Sequence, residues 1–501
     1  MKKTTIVVMI VTIIAKLFGF ARDRIISYFF GVGVVSDAFM LAFGVPSLVL
    51  TVVAAAFVTG FIPMYTRVKQ ESEEEANDFV NNIFNIMISF ALVLGIFMFL
   101  FPNVMVKIAA VGFDQETNAL AASFVRVISV SVISVAIIQL GTGYLNVNES
   151  FVLPNLISIP SNIIIITTTI LSYKAGTTSI MPYGALAGYL LQGAIIYLYM
   201  RKYGFRYRMV FNFKDPHLIK MVTLAGPLLI STAILYFQEL IMMSSSTFLH
   251  GKGGYSYIMM STRLMGFATG LFVTGILSVA YPTIANAASK HDKRKVVSSM
   301  NDAILLSSLF IIPATVGFMT LSYEIVNVVY GGGKVGPEEL EVLSNVFRFA
   351  AVGLFFIALK DLFMRIHYAY QDSMTPLYAQ IINSTLGILL FFVLGFTLGI
   401  KGLTLALSIS ALTSASFLFI SLLKKFERLG MIAIIKDLVK IIFSAFVMGV
   451  VILLAKNLLT GRMSDKVMFL ILLVAAVFTY GGMTLGLKVE VLYDLFDRTS
   501  A

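Results

Sequence analysis

Three features of the sequence predict an all-α polytopic membrane protein with fourteen transmembrane helices, arranged as two parallel-repeat six-helix bundles plus two C-terminal helices. Hydrophobic side chains make up 58% of the 501 residues and charged ones 13%, against roughly 45–50% and about 25% in soluble domains. The apolar residues fall into fourteen runs long enough to span a bilayer, since a crossing helix needs ~20 mostly apolar residues. The few charges collect between those runs, and mean hydropathy is +0.91, the pattern of a chain solvated by lipid.

The runs follow in order. The first, 5–30, carries four ionisable residues, Lys16, Arg22, Asp23 and Arg24. The second, 35–66, opens after Gly31-Val32-Gly33 and contains Gly44, Pro46, Gly60 and Pro63, which permit kinks and close helix approach. Runs 79–101, 119–146, 153–173 and 182–200 complete a first bundle; the acidic stretch Glu71 to Glu75 before them reads as a solvated loop. A linker with six cations from Arg201 to Lys220 is expected to lie against the anionic inner leaflet and to hold a short surface helix. Runs 220–248, 255–286, 299–321, 342–370, 376–397 and 402–423 form the second bundle, with Gly226, Pro227, Gly266 and Gly270 as its joints. Asp372, Thr375 and Pro376 read as an Asx-type turn, a Thr N-cap and a proline at the first helical position. Runs 438–456 and 467–487 are appended. The corresponding domains are 1–205, 206–425 and 426–501.

Charge sets the orientation. With the N-terminus inside and fourteen spans, 21 of the 37 Lys and Arg fall on the inside and eight on the outside, so the positive-inside rule places both termini in the cytoplasm. The same rule accounts for the net charge of +11 and the pI of 9.5 without a nucleic-acid partner. Met1-Lys2-Lys3 leads into an apolar stretch with no small-x-small cleavage site, so no cleavable signal is expected. Two local patterns recur at nearly equal offsets: Phe61-Ile62-Pro63-Met64 with Ala280-Tyr281-Pro282-Thr283, and Gly143-Tyr144-Leu145-Asn146 with His367-Tyr368-Ala369-Tyr370. Six spans separate the copies, which makes the repeat parallel.

The chemistry is sparse. With no Cys, thiol catalysis, disulfides and thiolate metal sites are excluded, and four scattered His offer no metal cluster. No P-loop, HExxH or Gly-x-Ser-x-Gly occurs. Ionisable residues inside the membrane are therefore the functional candidates, because each costs ~2.5–3.5 kcal/mol at the bilayer centre. Asp23 lies seven residues from Lys16, on nearly the same helix face, and could pair with it. Arg22 is about 120° round from Lys16, and Arg22 and Arg24 have the alternative of snorkelling to an interface. Lys16 is too deep for that and reads as cavity-lining. Asp37 has two readings of equal weight, a functional carboxylate or an N-cap. Arg263 has no acidic neighbour within a helical turn and suits an anion held bidentately. Glu239 is a candidate proton or cation site or a structural hydrogen bond, while Lys360, Asp361 and Arg365 read as local ion pairs. A secondary transporter of an anionic substrate is what these residues support.

Lys16-Leu17-Phe18-Gly19-Phe20-Ala21-Arg22-Asp23, with Phe30-Gly31-Val32-Gly33 and Ser36-Asp37-Ala38-Phe39, resembles the opening of the MurJ (MviN) family of lipid II flippases, within the multidrug/oligosaccharidyl-lipid/polysaccharide exporter superfamily. Pro46-Ser47-Leu48, Phe61-Ile62-Pro63, Arg263-Leu264-Met265 and Tyr368 to Pro376 agree. The resemblance implies a flippase that moves lipid II, or another polyprenyl-pyrophosphate glycan, from the inner to the outer leaflet of a bacterial cytoplasmic membrane by alternating access, without covalent chemistry or a cofactor. It implies that Arg22 and Arg263 are cavity arginines, that Lys16 stands where arginine is usual, and that Asp37 is a functional aspartate. It also implies that the last two helices line a groove for the lipid tail. The family's arginine in the second span has no counterpart, Leu48 to Ala56 being apolar, and Gly266 stands where an acidic residue is common. A cation-coupled drug antiporter of the same superfamily, using Glu239 and Asp37, is the first rival, and a non-transporting scaffold the second. Sodium, protons and the membrane potential all stay open as energy sources, as does the oligomeric state.

Overall fold

The computed structural model describes residues 2–426 and 431–492. Apart from a Gly332–Val335 bridge, every regular element among them is a helix, as the need to satisfy backbone groups without water demands. In chain order these are α1 (Lys2–Phe30), α2 (Val34–Glu71), α3 (Glu73–Leu100), α4 (Pro102–Ala109), α5 (Gln115–Ile128), α6 (Val132–Val147), α7 (Val152–Leu156), α8 (Ser158–Lys174), α9 (Ile180–Lys202), α10 (Pro216–His250), α11 (Gly254–Ala268), α12 (Thr274–Ser289), α13 (Lys293–Thr320), α14 (Ser322–Tyr330), α15 (Pro337–Ala351), α16 (Leu354–Ala369), α17 (Met374–Leu398), α18 (Ile400–Lys425), α19 (Met431–Leu459) and α20 (Asp465–Gly486). Eleven of the fourteen expected runs are helices with the length and composition to cross a membrane; 5–30, 35–66 and 255–286 are helical as well.

Several spans are built from pieces. A 3-10 turn, Ser129–Ser131, joins α5 to α6, and a π turn, Thr269–Val273, joins α11 to α12. Three sequence expectations need correction. Glu71 to Glu75 is helical rather than a loop: Ser72 alone interrupts it, accepting the Glu75 N–H as N-cap of α3, and three glutamates in the first turn complement the helix dipole. The linker after α9 holds no surface helix over 203–215. Before α17, Asp372 is the capping side chain, not Thr375: its carboxylate accepts the Thr375 N–H at 3.0 Å and hydroxyl at 2.8 Å.

Packing divides the chain into two units, Met1–Ser256 with Gly332–Val335, and Tyr257–Gly331 with Gly336–Ala501. In the first, α2 is the centre, touching α3, α5, α6 and α10. The seventh run therefore packs in the first unit, although the sequence repeat aligns it with the first span; a repeat records sequence correspondence and packing records contact. Close approach of α9 to α8 depends on Gly184 and Gly188, where a Cβ would overlap Thr168 and Ser161, a small-residue seam of the kind membrane helices use. Stacked aromatics, Phe61 with Tyr65 and Phe79, fill the core near the start of α3. In the second unit α17 pairs with α18, and α13 contacts α12, α16 and α19. The last helix pair is pinned by Lys456 to the buried Glu324 of α14 at 2.6 Å, by Asp465 to Asn327 at 3.1 Å, and by Tyr480 to the Leu309 carbonyl at 2.7 Å.

Candidate functional site

Two polar constellations stand inside the apolar first unit. The first is built on the charged end of α1. Arg22 is 4% exposed, so it does not snorkel. Its Nε and Nη2 atoms both lie 2.9 Å from Asp23 Oδ1, and Nη1 donates to Asn162 Oδ1 on α8 at 3.0 Å. Asn162 is itself fixed, because its Nδ2 donates to the Ser158 carbonyl at 2.8 Å. The guanidinium rests over the Phe43 ring of α2, 4.6 Å from its centre, and Phe43 stacks on Tyr189 of α9, whose hydroxyl donates to the Phe43 carbonyl at 3.0 Å. Four helices thus set the orientation of one arginine. Its charge is offset by its own neighbour in sequence, which allows an ion inside a membrane helix at tolerable cost. Lys16 sits six residues back on the same helix, half-buried.

The second constellation surrounds Asp37, which is fully buried. Its backbone N–H donates to Gly33 O at 2.8 Å, but the carboxylate does not serve α2. Oδ1 accepts the N–H of Ser256 at 2.8 Å and the Ser256 hydroxyl, and Oδ2 accepts the Gly253 N–H at 2.6 Å. Gly253 and Ser256 bracket the start of α11, so Asp37 satisfies the orphan donors of that helix and complements its positive end. Asp37 therefore does not cap its own helix, whose N-cap position is Gly33; its carboxylate caps α11. Ser36 supports it, with Oγ 3.1 Å from Ser256 Oγ and accepting the Gly33 N–H at 2.9 Å.

Close to that loop in sequence, Lys252 pairs with Asp114 at 3.1 Å and Glu116 at 2.9 Å, while Ser244 and Thr247 hydroxyls accept the N–H groups of Val111 and Gly112. Hydrogen bonds from Thr117, then Lys252, hold the Asp114 carboxyl below its usual range. Glu116 and Asp114 push the Lys252 ammonium above its own.

Glu239 lies half-buried on α10 beside the buried Gln238. Arg263 belongs to the second unit, half-buried on α11, less than two turns before the π turn at Thr269. The structure thus brings Arg22 together with Asp23, Asn162 and Phe43, and Asp37 with Gly253 and Ser256. Asn162 and Ser256 were not singled out from the sequence, although an asparagine amid the isoleucines of 157–166 is the signal that would have found the first.

A family model described as "Lipid II flippase MurJ" matches residues 26–474. A probable lipid II flippase MurJ of Thermotoga maritima is 27% identical over 503 residues, covering 99% of each chain. The lipid II flippase MurJ of Thermosipho africanus is 26% identical, covering 95% of this chain and 94% of that one. Among solved structures, a lipid II flippase MurJ in an inward closed conformation superposes with a TM-score of 0.81 at 26% identity, covering 96% of this chain and 98% of that one. An inward-facing multidrug resistance MATE family transporter shares the fold at 16% identity, with a TM-score of 0.68 over 84% of this chain and 99% of that one.

Proposed function

Because the chain belongs to the lipid II flippase MurJ family, we propose that it carries lipid II, the polyprenyl-linked peptidoglycan precursor, from the inner to the outer leaflet of the bacterial cytoplasmic membrane. The observation that carries this reading is the similarity to a lipid II flippase over 96% of the chain at a TM-score of 0.81. Transport by alternating access needs no covalent step. Fourteen crossings with both termini cytoplasmic and the sequence-defined domains 1–205, 206–425 and 426–501 are part of the same proposal; activity of a reporter fused after Ala501 only outside the cytoplasm would overturn that topology.

We assign Lys16, Arg22 and Arg263 to the substrate diphosphate. Each charge-assisted hydrogen bond to a phosphate oxygen contributes ~1.5–3 kcal/mol, and the fork of Arg22 is oriented in advance by Asn162 and Phe43. An incoming diphosphate competes with Asp23 for that fork, which makes binding an exchange of one anion for another and keeps release affordable. Asp37 is assigned to the conformational equilibrium through its cap on α11, and Glu239 to ion coupling.

Expression in cells depleted of their own lipid II flippase tests the proposal. Restored peptidoglycan synthesis is the expected result. Drug resistance without rescue would overturn it in favour of a cation-coupled antiporter, and rescue indifferent to loss of Arg22 and Arg263 charge would favour a scaffold.

A further inference from the structure

The linker between α9 and α10 is held along the first turns of α3 by four asparagines. Asn77 and Asn81 both donate to the Arg206 carbonyl, at 2.9 and 2.8 Å, and accept the N–H groups of Arg206 and Arg208, at 3.0 and 2.8 Å. Asn85 donates to the carbonyls of Arg208 and Val210, at 3.0 and 2.9 Å. Asn82 exchanges a reciprocal pair with the backbone of Asn212, each bond 2.8 Å. Helix and chain keep step because four helical residues rise ~6 Å, and two residues of extended chain ~6.6 Å.

This ladder gives the linker a direction. From Asn77 to Asn85 the chain climbs ~12 Å along α3, into the apolar run 79–101. It turns where the Val210 N–H donates to the Arg208 carbonyl, then returns to Asn82 at Asn212. Backbone placed at such depth in a bilayer would have no water to bond and would need protein partners; the asparagine amides supply them here. The apex presents uncovered apolar side chains, Met209 at 88% exposure, Phe211 at 49% and Phe213 at 65%, while the Arg208 guanidinium is held back on the first turns of α3 by Glu74 at 2.8 Å and Asp78 at 3.3 Å. Beside it, at the start of α10, Lys214 and Lys220 line a shallow recess of about 480 Å³ with Ile219 and Thr223.

We infer that this linker is a re-entrant anchor, which inserts Met209, Phe211 and Phe213 into the inner leaflet and holds the phosphate of anionic phospholipid head groups on Lys214 and Lys220. Apolar side chains at the interface with cations beside them are the combination that binds negatively charged bilayers. The inference uses the cytoplasmic placement of the linker from the proposed topology, but not the identity of the cargo.

The chain contains no Trp, so Met209→Trp and Phe213→Trp each create a single fluorescent probe in the full-length protein; Glu75→Trp, at an exposed site in the first turn of α3, is the aqueous control. In nanodiscs of phosphatidylcholine with phosphatidylglycerol, both probes should emit at shorter wavelength than the control. Lipids brominated near the head group should quench them at least threefold more. Water-like emission at both sites, or shielding from lipid bromine and aqueous iodide alike as a covering protein would give, overturns the insertion. Co-purified phosphatidylglycerol, counted by mass spectrometry, should fall at least twofold in the Lys214→Gln, Lys220→Gln double variant; an unchanged count overturns the head-group assignment. Because neither readout involves flipping, failure here is distinguishable from failure of the transport reading.

Discussion

The Asp37 carboxylate on α2 accepts the backbone N–H of Ser256 at 2.8 Å, across 219 residues of sequence. With the Gly253 N–H on its other oxygen, it is the cap of α11 that α11 itself does not supply. A buried carboxylate in this position does two things, satisfying donors that have no water to turn to and placing negative charge at a helix N-terminus.

Asp37→Ala should therefore destabilise the protein strongly, since each stranded buried donor costs about 1–3 kcal/mol. Asp37→Asn keeps one acceptor oxygen and should lose clearly less. Melting temperatures of the purified variants check the order; equal losses for the two would contradict the capping account.

Arg22 and Asp23 should behave as a pair. Removing one partner of a buried ion pair costs about 3–5 kcal/mol, whereas an apolar double replacement is often neutral. Asp23→Leu should give little folded protein, and Arg22→Met with Asp23→Leu should restore folding while failing to complement a flippase-depleted strain. A double variant as unstable as the single would contradict the pairing, and one that complements would remove Arg22 from transport.

Arg263→Ala should abolish complementation while the folded protein still reaches the membrane. Arg263→Lys should rescue in part only, because an ammonium cannot reproduce the bidentate guanidinium fork. Full activity of the alanine variant would remove Arg263 from the binding assignment.

The Asp114–Lys252 contact has a defined pH window. Asp114 is held below its unfolded value, so its contribution is complete above about pH 4 and is lost as pH falls through the folded value. Lys252 is shifted upward, so its contribution is complete below about pH 10 and is lost as pH rises through its folded value. The change in melting temperature caused by Asp114→Asn should then be the same at pH 6 and pH 8 and shrink at pH 3. A change that varies between pH 6 and 8 would refute the assignment.

Asn82→Leu and Asn85→Leu should expose the linker to trypsin after Arg206 and Arg208, because each substitution strands two backbone groups of residues 208–212. Faster cleavage there than in the parent protein is expected; unchanged rates would mean the asparagines do not hold the segment.

The helices were legible from the sequence because lipid leaves the backbone no alternative. A run of about 20 apolar residues must satisfy its own N–H and C=O groups, so length and composition alone locate the helical runs, and the opening motif Lys16 to Asp23 led to the family. What polar residues do inside that frame depends on which side chains another helix brings within 3 Å, and sequence spacing does not report that distance. Spacing within α1 gives no sign that Asn162 of α8 and Phe43 of α2 close on the Arg22 guanidinium; packing brings them there. For Asp37 the sequence allows a functional carboxylate or the cap of its own helix, and only the return of the chain at Gly253 shows that it caps another helix. The basic linker read as a surface helix because its charges were visible, whereas the asparagines that hold it in a non-helical path lie some 130 residues earlier. Burial away from water decides these pairings, because a polar group there must find whatever partner the tertiary fold presents.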